Sequence, residues 1–188
     1  GYPEDEMNAY IGAGDHSGLV KLLGEIKSAN KKGLVMKLIP SHFYNLGKPP
    51  SLVTCTRDVF SEDIKLNTAQ VLKIASTIAS VGEQLHSKGI NHGDLYAHNI
   101  MIDKQGNSLF GDFGAASFYD RQNKTQSFYL ERVEVKAYGY LLDDLISLCE
   151  QDSTIELKGL RDNCLSPDIN HRPGFKELVL QLQQFVKP

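Results

Sequence analysis

The sequence predicts an α+β fold in which a small strand hairpin is followed by a mostly helical body. Two short apolar runs at residues 19–23 and 33–39 are separated by a polar, turn-rich segment, which is the pattern of a β-hairpin. Irregular sequence with a Pro-Pro pair at residues 40–60 then predicts a linker or hinge. From Asn67 onwards apolar residues recur at helical spacing over several turns, so we expect a long core helix there.

The other predicted elements follow in order along the chain. Residues 4–13 predict a helix, and short apolar segments on either side of residues 103–107 predict two small strands joined by a turn. Residues 115–130 are polar and aromatic without a strong period, which indicates a surface loop. Helical spacing returns at residues 131–149 and 174–186, and these segments are predicted to form the last two helices.

Composition and charge argue against several classes of protein. The 188 residues are 41% hydrophobic and 23% charged, enough for one domain or for one lobe and part of another. A net charge of -3 gives no reason to expect nucleic acid or an anionic membrane as a partner. The apolar runs are too short to span a bilayer, and the first residues do not resemble a signal peptide. We therefore expect a cytoplasmic chain, and its start without methionine predicts a fragment.

Cysteine and histidine spacing predicts no structural metal. Three cysteines without paired short spacing indicate neither a disulfide framework nor a zinc knuckle, so we expect buried or inert thiols at Cys55, Cys149 and Cys164. Most histidines also lack ligand spacing and are predicted to be surface or turn residues, namely His16, His42, His86, His98 and His171. Arg172, beside a proline at a predicted helix entrance, is expected to form a buried ion pair with Glu131 or Glu134.

Acids and amides are concentrated in one stretch, residues 85–114. Asp94 is followed after five residues by Asn99, and Asp112 comes thirteen residues later. Carboxylate and amide oxygens are suitable ligands for Mg²⁺, and a further carboxylate can orient or deprotonate an attacking hydroxyl. Positioning and metal charge are most of what phosphoryl transfer requires of a protein. The stretch therefore holds the groups that such a reaction needs.

The order His92-Gly93-Asp94-Leu95, Asn99 and Asp112-Phe113-Gly114 resembles the catalytic loop and metal-binding triplet of the protein kinase family. The resemblance extends over nearly the whole chain, in order. It includes the helix end before the catalytic loop, the start of the central buried helix with Glu134 where the family has Asp, the closing segment near Arg172, and the strand that enters the hinge. It implies a protein kinase-like fold, with a partial N-lobe sheet in residues 1–39 and a mostly helical C-lobe in residues 40–188.

The resemblance also implies catalytic roles. Asp94 would accept the proton of the substrate hydroxyl, and Asn99 and Asp112 would hold Mg²⁺. Four side chains would form a stacked column between the lobes, and these are Tyr10, Leu22, His92 and Phe113.

Nucleotide contacts follow from the same resemblance. The adenine of ATP would meet backbone groups of Lys37 and Ile39, with Met36 in the gatekeeper position and Met101 packed under the ring. Glu6 is the candidate for the helix glutamate that pairs with the nucleotide-binding lysine.

Several positions depart from the kinase pattern. Gly93 replaces the Arg that reads activation-loop phosphate in many kinases, and Tyr96 stands where a Ser/Thr kinase carries a Lys. Only 22 positions separate Asp112 from Glu134, without an Ala-Pro-Glu between them, so the usual platform for a peptide substrate is shortened. No Gly-rich loop and no strand lysine are recognisable in these residues.

Three functions therefore remain open. The first is an ATP-dependent phosphotransferase that acts on Ser/Thr or Tyr hydroxyls of an unknown protein substrate. The second is a pseudokinase or truncated kinase that serves as a binding or regulatory module. The third is a small-molecule, aminoglycoside-like phosphotransferase, although the Phe-Gly after Asp112 favours the protein kinase branch. Residues 47–60 resemble bacterial kinase-like domains found beside leucine-rich repeats, which implies such a repeat region in the parent protein.

Overall fold

The computed structural model describes residues 3–28, 31–53, 57–150 and 155–185, and it has the predicted α+β fold. The helices in these ranges are α1 Pro3–Ala13, α2 Thr68–Ser87, α3 Lys124–Leu148, α4 Ile155–Cys164 and α5 Phe175–Phe185. The strands are β1 Leu22–Ser28, β2 Lys31–Met36, β3 Tyr44–Asn45, β4 Ile90–Asn91, β5 Ile100–Ile102, β6 Ser108–Phe110 and β7 Ser117–Phe118. The strands form three small antiparallel groups, β1-β2, β3-β5-β6 and β4-β7. The division of the chain at residues 39 and 40 stays a prediction.

The predicted hairpin is present, but it uses more of the polar segment than the apolar runs indicate. Strands β1 and β2 pair antiparallel with Leu22 opposite Met36, and the register is irregular near Gly24. Leu19, in the first apolar run, precedes the strand and forms an isolated bridge with Phe110 instead. The run at residues 19–23 therefore joins the hairpin to the strands beside the catalytic loop.

Helix α2 is the core helix that the sequence predicts. Asn67 caps its start, because its side chain accepts a hydrogen bond from Gln70 N (2.9 Å) while the Gln70 side chain accepts one from Asn67 N (2.7 Å). Gly82 on this helix lies against α5, where an added Cβ would come within 2.5 Å of the fully buried Phe175 ring. Close packing of α2 on α5 thus requires glycine at this position. The helix ends before Gly89, whose φ of 72° favours glycine.

The helix after the catalytic loop begins earlier than predicted. Helix α3 starts at Lys124 rather than at residue 131, and Asn123 caps it by accepting from Gln126 N at 3.0 Å. The predicted surface loop at residues 115–130 is therefore wrong for its second half. The first turns of α3 are largely exposed, so they show no apolar period that could have revealed them.

Helix α4 is absent from the predicted elements. Its buried residues Leu157, Leu160 and Cys164 follow the i, i+3, i+7 spacing of one helix face, which is the signal that identifies it. Cys164 is a free thiol whose pKa burial raises to about 12, as expected for an inert cysteine. Cys149 is also free and half-buried, whereas Cys55 lies outside the described residues.

The ion pair predicted for Arg172 is wrong among the described residues. Its guanidinium donates to two backbone carbonyls, those of Ser166 (2.9 Å) and Arg132 (3.2 Å). Glu131 instead accepts from Phe175 N at the start of α5 (2.9 Å), and Glu134 is bound to the catalytic loop. In the same ranges, none of the helices combines the length and apolar character that a membrane crossing requires.

Candidate active site

The catalytic loop lies between β4, which pairs with β7, and β5, which pairs with β6. Gly93 has a φ of 79°, and a Cβ there would lie 2.6 Å from the Ala115 carbonyl oxygen. Glycine therefore lets the loop pass close to the segment that follows Phe113. A 3-10 turn, Ala97–Asn99, then carries the chain into β5.

Asp94 and Asn99 are in direct contact. The Asn99 amide nitrogen donates to the Asp94 carboxylate oxygen Oδ2 at 2.8 Å and to the Asp94 carbonyl at 2.9 Å. Since both bonds use Nδ2, the amide oxygen of Asn99 points away from Asp94. It is therefore available as a metal ligand, the role the sequence predicts for this residue.

Asp112 is held near Asn99 by the backbone. Gly111 N donates to the Asn99 carbonyl at 3.1 Å, and the Asp112 carboxylate accepts from Gly114 N at 3.1 Å. Asp112 is the non-glycine residue with positive φ among the described residues, at 58°. Aspartate tolerates this left-handed conformation better than most side chains, although it costs free energy. The strained residue is thus one of the two predicted metal ligands.

A cleft of about 610 Å³ brings most of the predicted residues together. Its lining combines the predicted nucleotide contacts with the predicted metal ligands; these residues are Met36, Lys37, Ile39, Met101, Asn99 and Asp112. A cleft with apolar side chains, a carboxylate and an amide oxygen in its lining suits an adenine ring together with metal-bound phosphates.

Glu6 does not line this cleft. It is exposed on α1, where the neighbouring Glu4 pairs with Lys32 of β2 at 2.9 Å. The pairing of Glu6 with a nucleotide-binding lysine stays a prediction.

The predicted stacked column is present for three of its four side chains. The Phe113 ring lies 4.6 Å from Tyr10 and 4.8 Å from His92, measured between ring centroids. His92 is fully buried, and its Nε2 donates to the Gly111 carbonyl at 3.1 Å. Burial lowers the pKa of His92 despite the nearby carboxylates, so the ring is neutral and structural. Leu22 is half-buried in β1.

Glu134 fastens the catalytic loop to α3. Its carboxylate accepts from Gly93 N at 2.8 Å, from His92 N at 3.2 Å and from His86 Nε2 at 2.6 Å. Burial alone would raise the pKa of Glu134, but the hydrogen bond and charge of His86 and the bonds from the loop hold it below the usual range. His86, which lies 2.9 Å from the Tyr119 hydroxyl, is buried, so its predicted surface position is wrong.

Comparison with known proteins decides the family. Residues 5–138, more than half of the chain, match the Protein kinase domain family. The chain belongs to the protein kinase family. The fold and the family that the sequence predicts are therefore both confirmed.

Relatives of the kinase chain are larger proteins. A probable serine/threonine-protein kinase of Dictyostelium discoideum is 28% identical over 90% of this chain and 15% of its own length. A putative L-type lectin-domain containing receptor kinase of Arabidopsis thaliana is 28% identical over 92% of this chain and 24% of its own length. Cysteine-rich receptor-like protein kinase 10 of Oryza sativa subsp. japonica is 32% identical over 68% of this chain and 18% of its own length. The kinase chain thus spans less than a quarter of these relatives. Because they are eukaryotic, the bacterial, leucine-rich-repeat context stays a prediction.

Two residues of the kinase site are missing from the sequence-based set. Asp58, with a side chain only 1% exposed, accepts from His98 N at 2.9 Å and lies 2.8 Å from His98 Nδ1. His98 is predicted to be a surface or turn residue; it lies in the 3-10 turn Ala97–Asn99, and its side chain is mostly buried. The two residues are 40 positions apart, and only the folded chain brings them together. An aspartate in an otherwise irregular segment gives no local signal of this contact.

Proposed function

We propose that this chain carries the catalytic loop and the metal ligands of an ATP-dependent protein phosphotransferase. The observation that supports this most is the cleft that Asn99 and Asp112 line together with Met36 and Met101, with Asp94 hydrogen-bonded to Asn99. The substrate would be a Ser, Thr or Tyr hydroxyl of a protein. The Dictyostelium discoideum relative, which is named as a serine/threonine-protein kinase, favours the first two.

Each residue has a separate task in this mechanism. Asp94 orients the substrate hydroxyl and accepts its proton as the hydroxyl oxygen bonds to the γ-phosphorus of ATP, while the bond from that phosphorus to the bridging oxygen breaks and ADP leaves. Asn99 keeps the Asp94 carboxylate in place through Nδ2 and offers its amide oxygen to a metal, together with the Asp112 carboxylate. Mg²⁺, when bound there with ATP, supplies positive charge to the phosphate oxygens. Met36, Ile39 and Met101 supply an apolar surface for adenine.

The Asp94→Asn variant tests this proposal. Asparagine still accepts from Asn99 but is no longer a base, so we expect transfer of the γ-phosphate to fall by about 10²- to 10⁴-fold. Affinity for Mg·ATP should stay within about twofold. Transfer from labelled ATP to the protein itself and to a general protein substrate is measured for wild type and variant.

His171→Asn is a matched control for that variant. His171 is exposed and faces Asp168 at 3.4 Å, in a 3-10 turn on a different segment of the chain. Transfer should be unchanged in this variant. The proposal fails if the wild-type protein transfers no phosphate, or if Asp94→Asn retains full activity.

A second candidate function is a pseudokinase that acts as a binding module. It is favoured by Gly93 in place of a phosphate-reading arginine and by the short stretch, residues 115–123, between Gly114 and the start of α3. Calorimetric titration with ATP, with and without Mg²⁺, separates the two candidates. Tight, metal-dependent binding counts against a purely structural module.

A further inference from the structure

The side chain of His98 is held by an acid on each side. At one ring nitrogen, Nδ1–H donates a hydrogen bond to the Asp58 carboxylate at 2.8 Å. At the other, Nε2 lies 3.6 Å from Asp94 Oδ2. The Tyr96 ring stacks on the imidazole at 5.8 Å with an interplanar angle of 12°. Three contacts in different directions therefore leave the ring little freedom to rotate.

Asp58 is itself firmly anchored. The preceding residue, Arg57, is bound to two acids of α3, with Nη2 lying 3.1 Å from Asp143 Oδ2 and in contact with Asp144 Oδ1. Its guanidinium also lies over the Tyr140 ring, 5.2 Å from the centroid. The buried Asp58 carboxylate is therefore fixed relative to α3, the same helix that carries Glu134.

A purely structural role accounts for only part of these contacts. The bond from His98 N to Asp58 Oδ2 stabilises the 3-10 turn, and any residue at position 98 except proline can supply that backbone donor. The bond to Nδ1 requires a side chain with a donor at that place. The approach of Nε2 to Asp94 requires a longer side chain that reaches the catalytic carboxylate.

We infer that Asp58 and His98 are positioning residues for Asp94. Asp58 sets the orientation of the imidazole, and Nε2 of that ring restricts the Asp94 carboxylate on its Oδ2 side. Both protein contacts of the carboxylate, from Asn99 and His98, fall on Oδ2. Among the described residues Oδ1 has no protein hydrogen bond, so it is the oxygen available to the substrate hydroxyl.

The separation of 3.6 Å is longer than a hydrogen bond, as is common for catalytic contacts in the absence of substrate. The inference rests on the proposed phosphotransfer, because it explains how Asp94, the proposed base of that reaction, is oriented. It does not depend on the identity of the protein substrate.

Two substitutions of His98 separate positioning from structural support. Asparagine places its amide nitrogen near the position of Nδ1, so His98→Asn keeps the bond to Asp58 but does not reach Asp94. Glutamine places its amide nitrogen near the position of Nε2, so His98→Gln reaches Asp94 but loses the bond to Asp58. The melting temperature, the kcat and the KM for ATP are measured for both, beside wild type.

If His98 positions Asp94, the kcat of His98→Asn should fall by about 10- to 100-fold, since small displacements of a catalytic group have effects of that size. Its KM for ATP and its melting temperature should remain near those of wild type. His98→Gln should retain more of the kcat than His98→Asn. Asp58→Asn, which cannot accept from both His98 donors, should lose kcat and also melt at a lower temperature.

The His171→Asn variant again serves as the control for a histidine paired with an aspartate outside the site, and its kcat should not change. The inference is overturned if His98→Asn keeps its kcat within about twofold of wild type, or if kcat falls only in step with the melting temperature. A wild-type protein without phosphate transfer overturns the proposed function first, and this inference with it.

Discussion

Two regions next to the cleft are held in place in different ways: the catalytic loop at residues 92–99, here called the catalytic wall, and the β1–β2 hairpin, here called the hinge wall. On the catalytic wall, the backbone N–H groups of His92 and Gly93 donate to the carboxylate of Glu134, a side chain that is only 3% exposed. On the hinge wall, the β1–β2 hairpin leaves Leu23 and Ile26 more than half exposed and is tied to α1 by the surface pair of Glu4 and Lys32. The catalytic wall, which carries the residues proposed for proton transfer and metal binding, is fixed by buried polar contacts. The hinge wall, next to the proposed contacts for the nucleotide base, has exposed apolar side chains instead.

Removal of the Glu134 carboxylate should have the largest effect on stability. In Glu134→Ala the buried His86 side chain and two loop N–H groups lose their acceptor, so we expect the free energy of unfolding to fall by about 3–5 kcal/mol. Urea titration followed by circular dichroism measures the change.

Glu4→Ala is the matched control on the hinge wall. Its carboxylate also has one basic partner, but both side chains are exposed, so the unfolding curve should not shift measurably. If the two variants are equally stable, the contrast between the walls is wrong.

Glycine substitutions test a parallel contrast, between the packed helical core and the hinge wall. In Gly82→Ala the new methyl group would lie 2.5 Å from the buried Phe175 ring. We expect a loss of about 1–3 kcal/mol from overpacking, which exceeds the gain of about 1 kcal/mol from the better helix propensity of alanine.

Gly33→Ala, in β2, provides the comparison for this packing test. An added Cβ at Gly33 would meet no heavy atom within 4 Å, so this variant should be as stable as wild type. A similar loss in both variants, measured by thermal unfolding, would contradict the packing difference.

The smallest expected effect is a pH dependence from the catalytic wall. Because burial lowers the pKa of His92 in the folded state, the unfolded chain binds more protons just below about pH 6.5. The contribution of His92 to the free energy of unfolding is therefore complete above that pH. It decreases as the pH falls, by at most about 1.4 kcal/mol per pH unit for one proton.

Urea titrations at several pH values measure this slope, which should be flatter in His92→Phe. Glu134 also destabilises the folded state as the pH falls, but in a lower pH range. Because its pKa is lowered in the folded state, its contribution to the free energy of unfolding is lost below about pH 4.5. An identical slope between pH 5 and 6.5 in wild type and His92→Phe would contradict the assignment.

Local patterns predicted those features that depend on neighbouring residues in the sequence. Helix α2 has both a capping box and an apolar face, so its start at Asn67 and its burial could be predicted. The exposed start of α3 has neither a wide apolar face nor an acidic residue in its first turn, and its marker is the cap at Asn123. Its beginning was therefore placed seven residues too late.

The site shows the same division between local and distant contacts. Asp94, Asn99 and Asp112 lie within 19 residues and follow a recognisable order, so the sequence could propose them as a set, and their roles stay a prediction. The partners that orient them come from other segments: Asp58 from the irregular region after the hinge, and Glu134 from α3. For Glu134 the kinase resemblance supplied the position. For Asp58 nothing in the spacing of the sequence indicated a contact with the catalytic loop.

The backbone at Asp112 also limits which residues evolution can place there. Only glycine, asparagine and aspartate adopt a φ near 58° at modest cost, and among these three only aspartate carries a negative charge. Glutamate would keep the charge but not the conformation, and asparagine the conformation but not the charge. Conformation and charge thus independently favour the same side chain. No conservative substitution of Asp112 keeps both.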